Sequence, residues 1–210
     1  MAAAVGKDDG MDARGEGPGP GSQAAAPPAF AAAVQQVRAT ALRPEIVVEE
    51  GPGPRSLAPF SLALSADVVD EAGDEVAEGR FVLLHDPAGQ EGWDGTWRVV
   101  VLARCSPATE DADDPLLADV AWSWLVEALE DHGLPVRTLG GTVTTSTSRS
   151  YGQLAARPVD GELEVRASFS PSASEVPEAV GDAVQAWAQL LGAAAGLPPL
   201  PHGVARLPRR

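Results

Sequence analysis

The sequence is poor in cysteine, histidine and lysine, and it contains no asparagine. Its one cysteine, Cys105, cannot form an intrachain disulfide, which fits a reducing compartment. No histidine is near Cys105 in the sequence, so we expect a buried side chain there and not a reactive thiol. The three histidines, His85, His132 and His202, share no spacing that is typical of a zinc site. We therefore predict no bound metal and no cofactor.

Positive charge is scarce, because 15 Lys and Arg residues stand against 30 Asp and Glu residues and give a formal net charge of −15. Proteins bind phosphate groups through clustered Lys and Arg, so neither a nucleic acid nor an anionic membrane surface is an expected partner. The acidity also has a simpler interpretation, in which it only keeps the chain soluble.

Long apolar runs and known catalytic motifs are also missing. No stretch approaches the roughly 18 apolar residues of a membrane-spanning helix. The segment from Met1 to Gly10 lacks the basic and apolar regions of a signal peptide. There is no Gly-x-Ser-x-Gly elbow, no phosphate-binding loop and no dinucleotide fingerprint after a predicted strand. These absences favour a soluble, cytoplasmic protein that is not an enzyme.

Composition divides the chain into a domain and two tails. Residues 1–28 are small, polar and rich in Gly and Pro, and such a segment cannot bury enough apolar surface to offset its ordering entropy. We predict a disordered N-terminal tail over 1–28, a single domain over 29–199 and a flexible C-terminal tail over 200–210.

Apolar periodicity predicts the helices and strands of this domain. The predicted helices cover residues 28–43, 114–133 and 177–195, and the predicted strands cover 46–48, 62–68, 80–85, 96–104, 142–147 and 163–169. The order of one helix, three or four strands, a helix, two strands and a last helix predicts an α+β fold. Its antiparallel sheet has about five or six strands, and its three helices pack mainly on one face.

The central strands are apolar on both faces of the predicted sheet. Phe81 and Leu83 point to one face, and Val82 and Leu84 point to the other, because successive strand residues alternate. A sheet with one face in water alternates more cleanly between apolar and polar residues. Either helices cover both faces, or the second face contacts another subunit or a protein client.

The predicted hairpin that starts at His85 holds a candidate ligand site. In this hypothesis His85 acts as an acid or base, Asp86 orients it, and Arg98 holds an anion. The polar rim of the site consists of Thr142, Thr144 and Tyr151. A structural interpretation competes with this one, because Asp86-Pro87-Ala88-Gly89 fits a type I turn. Moreover, His85 and Asp86 point to opposite faces unless the strand has already ended.

Two tryptophans of the second predicted helix, Trp122 and Trp124, lie about 200 degrees apart around its axis. The apolar stripe of this helix consists of Leu117, Val120, Ala121, Trp124, Leu125, Ala128 and Leu129. We therefore expect Trp124 in the core, with a far larger loss of stability on truncation than for Trp122. Trp122 either packs on the flank of the stripe or lies outside it, where an indole suits a partner interface.

Four motifs carry a resemblance to a known family. They are Leu83-Leu84-His85-Asp86-Pro87-Ala88-Gly89, Trp93-Asp94-Gly95-Thr96-Trp97-Arg98, Asp114-Pro115-Leu116-Leu117 and Trp122-Ser123-Trp124-Leu125. With them the chain resembles an actinobacterial family of uncharacterised proteins, a domain of unknown function, from about Phe30 to Pro199. The resemblance implies an actinobacterial, cytoplasmic protein. It implies no reaction, cofactor or catalytic residue.

The predicted element order is similar to that of the secretion-chaperone-like fold, whose members include acidic, often dimeric proteins that bind other proteins. Our first hypothesis is therefore a non-enzymatic, chaperone-like or adaptor domain. It binds a protein client through an apolar sheet face and forms a homodimer. The competing hypothesis is a small-molecule binder or enzyme with its site at the hairpin near His85, Asp86 and Arg98.

Overall fold

The computed structural model describes residues 26–109, 111–172, 176 and 178–199. Its helices are α1 (Pro28–Ala39), α2 (Leu117–Asp131) and α3 (Glu178–Ala194), and its strands are β1 (Ile46–Pro52), β2 (Phe60–Val69), β3 (Glu75–Gln90), β4 (Gly95–Cys105), β5 (Val136–Ser148) and β6 (Asp160–Pro171). A 3-10 turn, Gly152–Leu154, lies between β5 and β6. Apart from residues 26–28, the predicted N-terminal tail lies outside the described residues, and so does the predicted C-terminal tail.

The strands form one antiparallel sheet in the order β1-β2-β3-β4-β6-β5. The chain leaves β4, crosses through α2 to the far edge and returns as β6, so β1 and β5 are the two edge strands. Helix α3 packs on β3 and β4, α2 packs on β5 and β6, and α1 packs against α3. The predicted α+β fold with an antiparallel sheet is confirmed.

The main core lies between the helices and one face of the central strands. Phe81 and Val99 are fully buried on this face, and Trp187 of α3 is fully buried against them. The Trp187 ring lies 5.7 Å from that of Phe81, and its Nε1–H donates a hydrogen bond of 3.0 Å to the carbonyl of Leu102. The indole thus enters the core without leaving its polar group unsatisfied.

The opposite face of the sheet, which we call the open face, carries Arg80, Val82, Leu84 and Arg98, and none of α1, α2 and α3 packs on it. Val82 is 8% exposed and Leu84 2% exposed, because they form a small cluster with Ala58, Ala63 and the half-buried side chains of Trp93 and Val100. The loop before β2 and the tip of the β3–β4 hairpin therefore supply this cover. The expectation that helices, a second subunit or a client must cover these apolar residues is wrong.

Helix α2 begins later than its sequence predicts. The Asp114 carboxylate accepts a hydrogen bond of 2.8 Å from the backbone N–H of Leu116, so it caps a preceding turn, and the helix itself begins at Leu117. Val120 belongs to the predicted stripe but is 43% exposed. The remaining stripe residues are buried or pack against the main core.

Candidate functional site

His85 lies inside a cluster of aromatic side chains and not in an open site. It is 6% exposed, and its ring stacks on that of Trp97 with 4.0 Å between the ring centres. The rings of Phe30 and Phe60 lie 6.2 and 6.1 Å from it. Strand pairing explains the cluster, because His85 pairs with Trp97 on β4 and with Phe60 on β2.

The protonation state of His85 follows from its surroundings. Its Nδ1 lies 3.0 Å from the carbonyl oxygen of Thr96. A carbonyl can only accept, so Nδ1 carries the proton. Burial lowers the pKa of His85 below its ordinary value, and the hydrogen bond to Thr96 only partly opposes that shift. The ring is a neutral core residue at pH 7.

Asp86 points to the open face and shapes the hairpin. Its carboxylate accepts the backbone N–H of Ala88 at 3.0 Å and the Nε2–H of Gln90 at 3.1 Å. Gln90 also donates to the carbonyl of Leu57 at 2.9 Å, so it ties the hairpin to the loop before β2. His85 and Asp86 therefore do not form a dyad, as strand alternation predicts.

Arg98 joins three strands on the open face. Its Nη2 donates to Ser168 Oγ at 2.7 Å, and its Nη1 donates to Ser170 Oγ at 3.3 Å and to the Thr138 carbonyl at 3.1 Å. A further short hydrogen bond joins Nη1 to Thr138 Oγ1. We call Arg98, Thr138, Ser168 and Ser170 the Arg98 cluster. Burial lowers the pKa of Arg98, and the guanidinium stays protonated at neutral pH because its ordinary pKa is so high.

The predicted polar rim does not lie beside Arg98. Arg98 is level with Ser170 of β6. Thr142 and Thr144 pair with Arg166 and Glu164, which lie four and six residues earlier on that strand. Their distance along the strand is therefore about 13 Å or more. Tyr151 is 78% exposed in the loop that follows β5.

Sequence reasoning missed Thr138, Ser168 and Ser170, which are the actual neighbours of Arg98. The alternation of Ser168 and Ser170 with the apolar Ala167 and Phe169 does indicate a polar face of β6. No local pattern indicates that this face meets β4, because the pairing of β4 with β6 spans the whole of α2 and β5.

Trp122 and Trp124 have similar surroundings. Both are half-buried and both pack against the main core. Trp122 covers Gly141 of β5, where an added Cβ would lie 2.8 Å from the indole ring. The prediction that Trp124 lies in the core is therefore wrong, since this indole is only half-buried, whereas Trp122 packs on the flank, which is one of its two predicted placements.

A cavity of about 300 Å³ opens at the other end of the sheet, between β3, β4 and the β5–β6 hairpin. Its arginine, Arg104, forms ion pairs of 2.9 Å with Glu78 and Glu162 and a further one with Glu164. Burial raises the pKa of Cys105, which also lines the cavity, to about 11. The thiol is therefore a buried neutral group, as the sequence predicts. Within the described ranges, no group of three or more His, Cys, Asp or Glu side chains could hold a metal ion.

The two edge strands differ in chemistry. Strand β1 has seven residues, among them Glu49, Glu50 and Pro52. Strand β5 has thirteen residues, and its segment Leu139–Ser148 contains no charged residue and no proline. Most side chains of β5 are exposed. Charges and prolines protect an edge from pairing with another strand, so β1 is protected and β5 is not.

Comparison with known proteins places the chain in one family. No curated protein and no solved structure matches it. Among the described residues, no helix is both long and apolar enough to cross a membrane. A family model described as a protein of unknown function, DUF3000, matches residues 26–205 and so covers the domain from before α1 to beyond α3. The chain belongs to the DUF3000 family.

Proposed function

We propose that this domain is a non-enzymatic binding module that adds an extended segment of a partner protein to its sheet at β5. The observation that carries this proposal is the segment Leu139–Ser148, an exposed sheet edge without charge or proline. The backbone groups on the outer side of such an edge can form a complete set of hydrogen bonds with an added strand. The sequence of β5 suits this role, because Thr and Val favour extended backbone.

This proposal moves the binding surface from the face of the sheet to its edge. The apolar side chains Val82 and Leu84 are already covered by their own chain, so the open face offers less apolar area than the sequence suggests. Binding of a partner strand at the β5 edge depends mainly on backbone hydrogen bonds, so it needs little apolar area.

The partner that fits best is a basic, extended segment of a different protein. The formal charge of −15 attracts Lys and Arg residues that flank such a segment and speeds their encounter with the domain. The same charge makes two copies of the chain repel each other at low ionic strength. A β5-to-β5 homodimer is therefore less favoured than a complex with a basic partner.

The element order supports a chaperone-like or adaptor role, because it resembles that of the secretion-chaperone-like fold. An actinobacterial, cytoplasmic protein is the setting that the motifs and the lone cysteine favour. In that setting the domain would hold an unfolded or linear segment of its partner in a β conformation.

Selection of ten-residue peptides displayed on phage against the whole chain tests the proposal. We expect the selected peptides to be rich in Lys, Arg and β-branched residues. We also expect Thr144→Lys to weaken their binding about tenfold, since a lysine on an edge strand repels a basic segment and opposes pairing. Hydrogen exchange should show new protection of the backbone amides of Leu139–Ser148 in the complex.

The matched control is Val47→Lys on β1, another exposed β-branched residue on the open face of an edge strand. This variant should bind the peptides as the wild type does. Equal binding by Thr144→Lys and the wild type, or protection outside β5, would contradict the proposal. If light scattering shows a wild-type dimer that Thr144→Lys dissociates, a second copy of the chain binds at β5. The proposal of a basic partner would then be wrong.

A further inference from the structure

Arg98 differs from the other arginines of the described chain in its partners. The side chains of Arg43, Arg104 and Arg137 are also withdrawn from solvent in part, and each forms an ion pair with a carboxylate. Arg55, Arg80 and Arg157, which form no such pair, are exposed. In the part of the chain that the structure describes, Arg98 alone is half-buried with no carboxylate within 4.0 Å. A desolvated charge without a counter-ion is unfavourable, so an anion at this position would be stabilised.

The neighbours of Arg98 add hydrogen-bond donors. The hydroxyl oxygens of Thr138, Ser168 and Ser170 accept hydrogen bonds from the guanidinium, so each hydroxyl hydrogen is directed elsewhere. The contacts of Thr138 Oγ1 with Ser170 Oγ and with the Trp93 carbonyl are long, at 3.4 and 3.5 Å. The Nε–H of Arg98 has no acceptor among the described residues. Several donors and one positive charge thus meet in one place.

Backbone strain marks the same place. Thr138 has a φ of 51°, which is rare for a β-branched residue, and Asp94 has a φ of 52°. They are the only non-glycine residues with positive φ in the described ranges. Both lie close to the Arg98 cluster, because Asp94 forms an ion pair with Arg137, the residue before Thr138. A positive φ is ordinary for an aspartate in a turn, but it is strained for the β-branched Thr138, and strained residues cluster at ligand sites, where the rest of the structure holds them in position.

We propose that the Arg98 cluster binds an oxyanion, a carboxylate or phosphate group, at the open face where β4, β5 and β6 meet. The guanidinium supplies the charge, and the hydroxyls of Thr138, Ser168 and Ser170 supply further donors. Thr138 is exposed, so the group can enter from solvent. The proposal does not depend on strand addition at β5, and either can fail without the other.

Titration of the whole chain with inorganic phosphate and, separately, with acetate tests the proposal, with NaCl keeping the ionic strength constant. The readouts are the thermal unfolding midpoint and the NMR resonance of the Arg98 Nε–H group. We expect a saturable rise of the midpoint and a saturable shift of that resonance. The stronger of the two titrations identifies phosphate or carboxylate as the preferred group.

Arg98→Met should weaken the binding about tenfold or more, because a charge-assisted hydrogen bond is lost. The matched control is Arg80→Met, which removes an exposed arginine from the same face and should bind as the wild type does. Where Arg98→Met does not fold, Ser168→Ala replaces it, with about threefold weaker binding expected from the loss of one neutral donor. The absence of a saturable response in the wild type, or an equal response after either substitution, would overturn the proposal and leave Arg98 as a link between strands only.

Discussion

His85 suggests acid–base chemistry in the sequence, but its buried position in the structure does not support that role. The sequence places a histidine, an aspartate and an arginine on one hairpin, and strand alternation already predicts that the first two diverge. In the structure the imidazole lies among Trp97, Phe30 and Phe60, with Nδ1 bonded to a backbone carbonyl. An imidazole held in this way is a packing group, and burial lowers its pKa.

The burial of His85 makes the stability of the domain depend on pH in a defined direction. Its folded-state pKa lies below the ordinary value of 6.5, so the unfolded chain binds a proton more readily than the folded one. The free energy of unfolding should therefore fall as the pH drops through 6.5 toward the folded-state pKa, and it should not fall on this account above pH 7.5.

Comparison of the wild type with His85→Phe isolates this effect, since phenylalanine keeps the aromatic packing and cannot titrate. Urea unfolding at pH 8, 6.5 and 5 should show that the wild type loses stability relative to the variant between the first and the last of these values. A difference between the two proteins that stays constant with pH would show that the imidazole titrates equally in both states.

At the scale of elements, the close contact between α2 and β5 depends on a glycine. A Cβ at Gly141 would overlap the carbonyl oxygen of Arg166 on the paired strand and would lie 2.8 Å from the Trp122 ring. Gly141→Ala should therefore destabilise the domain by about 1–3 kcal/mol, a typical cost of overpacking. Chemical unfolding followed by tryptophan fluorescence measures this loss.

The adjacent Gly140 provides the control. A Cβ there would meet no atom within 4 Å, and its φ is not in the left-handed region. Gly140→Ala should leave the free energy of unfolding unchanged or raise it by about 0.5 kcal/mol, because alanine restricts the unfolded chain. Equal losses for the two alanine variants would mean that Trp122 does not pack on β5 as described.

Local patterns predicted the existence and type of each helix and strand, but their ends less well. The stripe of α3 is a clear case, because Val180, Val184, Trp187 and Leu191 are all buried as its spacing predicts. The sequence predicts strand β5 only over 142–147, because Gly140 and Gly141 interrupt the alternation that marks a strand, and the backbone before them is distorted at Thr138. The Arg98 cluster could not be predicted, because it depends on which strands become neighbours.

At the scale of the whole molecule, helices cover one face of the sheet, and on the other face loops of the same chain cover only the cluster around Val82 and Leu84. Leu84 is 2% exposed under the Ala58 loop and the β3–β4 hairpin. Leu84→Glu should therefore unfold the domain or destabilise it by about 3 kcal/mol or more, because it buries a charge without a partner. Circular dichroism during thermal unfolding measures this effect.

Leu102→Glu is the matched control. Leu102 belongs to β4 and lies on the open face, as Leu84 does, but it is only half-buried. This variant should keep its fold with a smaller loss, because the carboxylate can reach water. A folded Leu84→Glu variant, or one that differs from the wild type only in oligomeric state, would show that the leucine lies at an interface between molecules instead.

The unprotected edge at β5 has a consequence for the solubility of the protein at high concentration. Nothing on the edge itself prevents two molecules from pairing there, so the main barrier to ribbon-like assembly is long-range repulsion between chains of formal charge −15. That barrier weakens near the isoelectric point of about 4.4, and concentrated salt screens it. The net negative charge of the whole chain therefore opposes aggregation through the β5 edge.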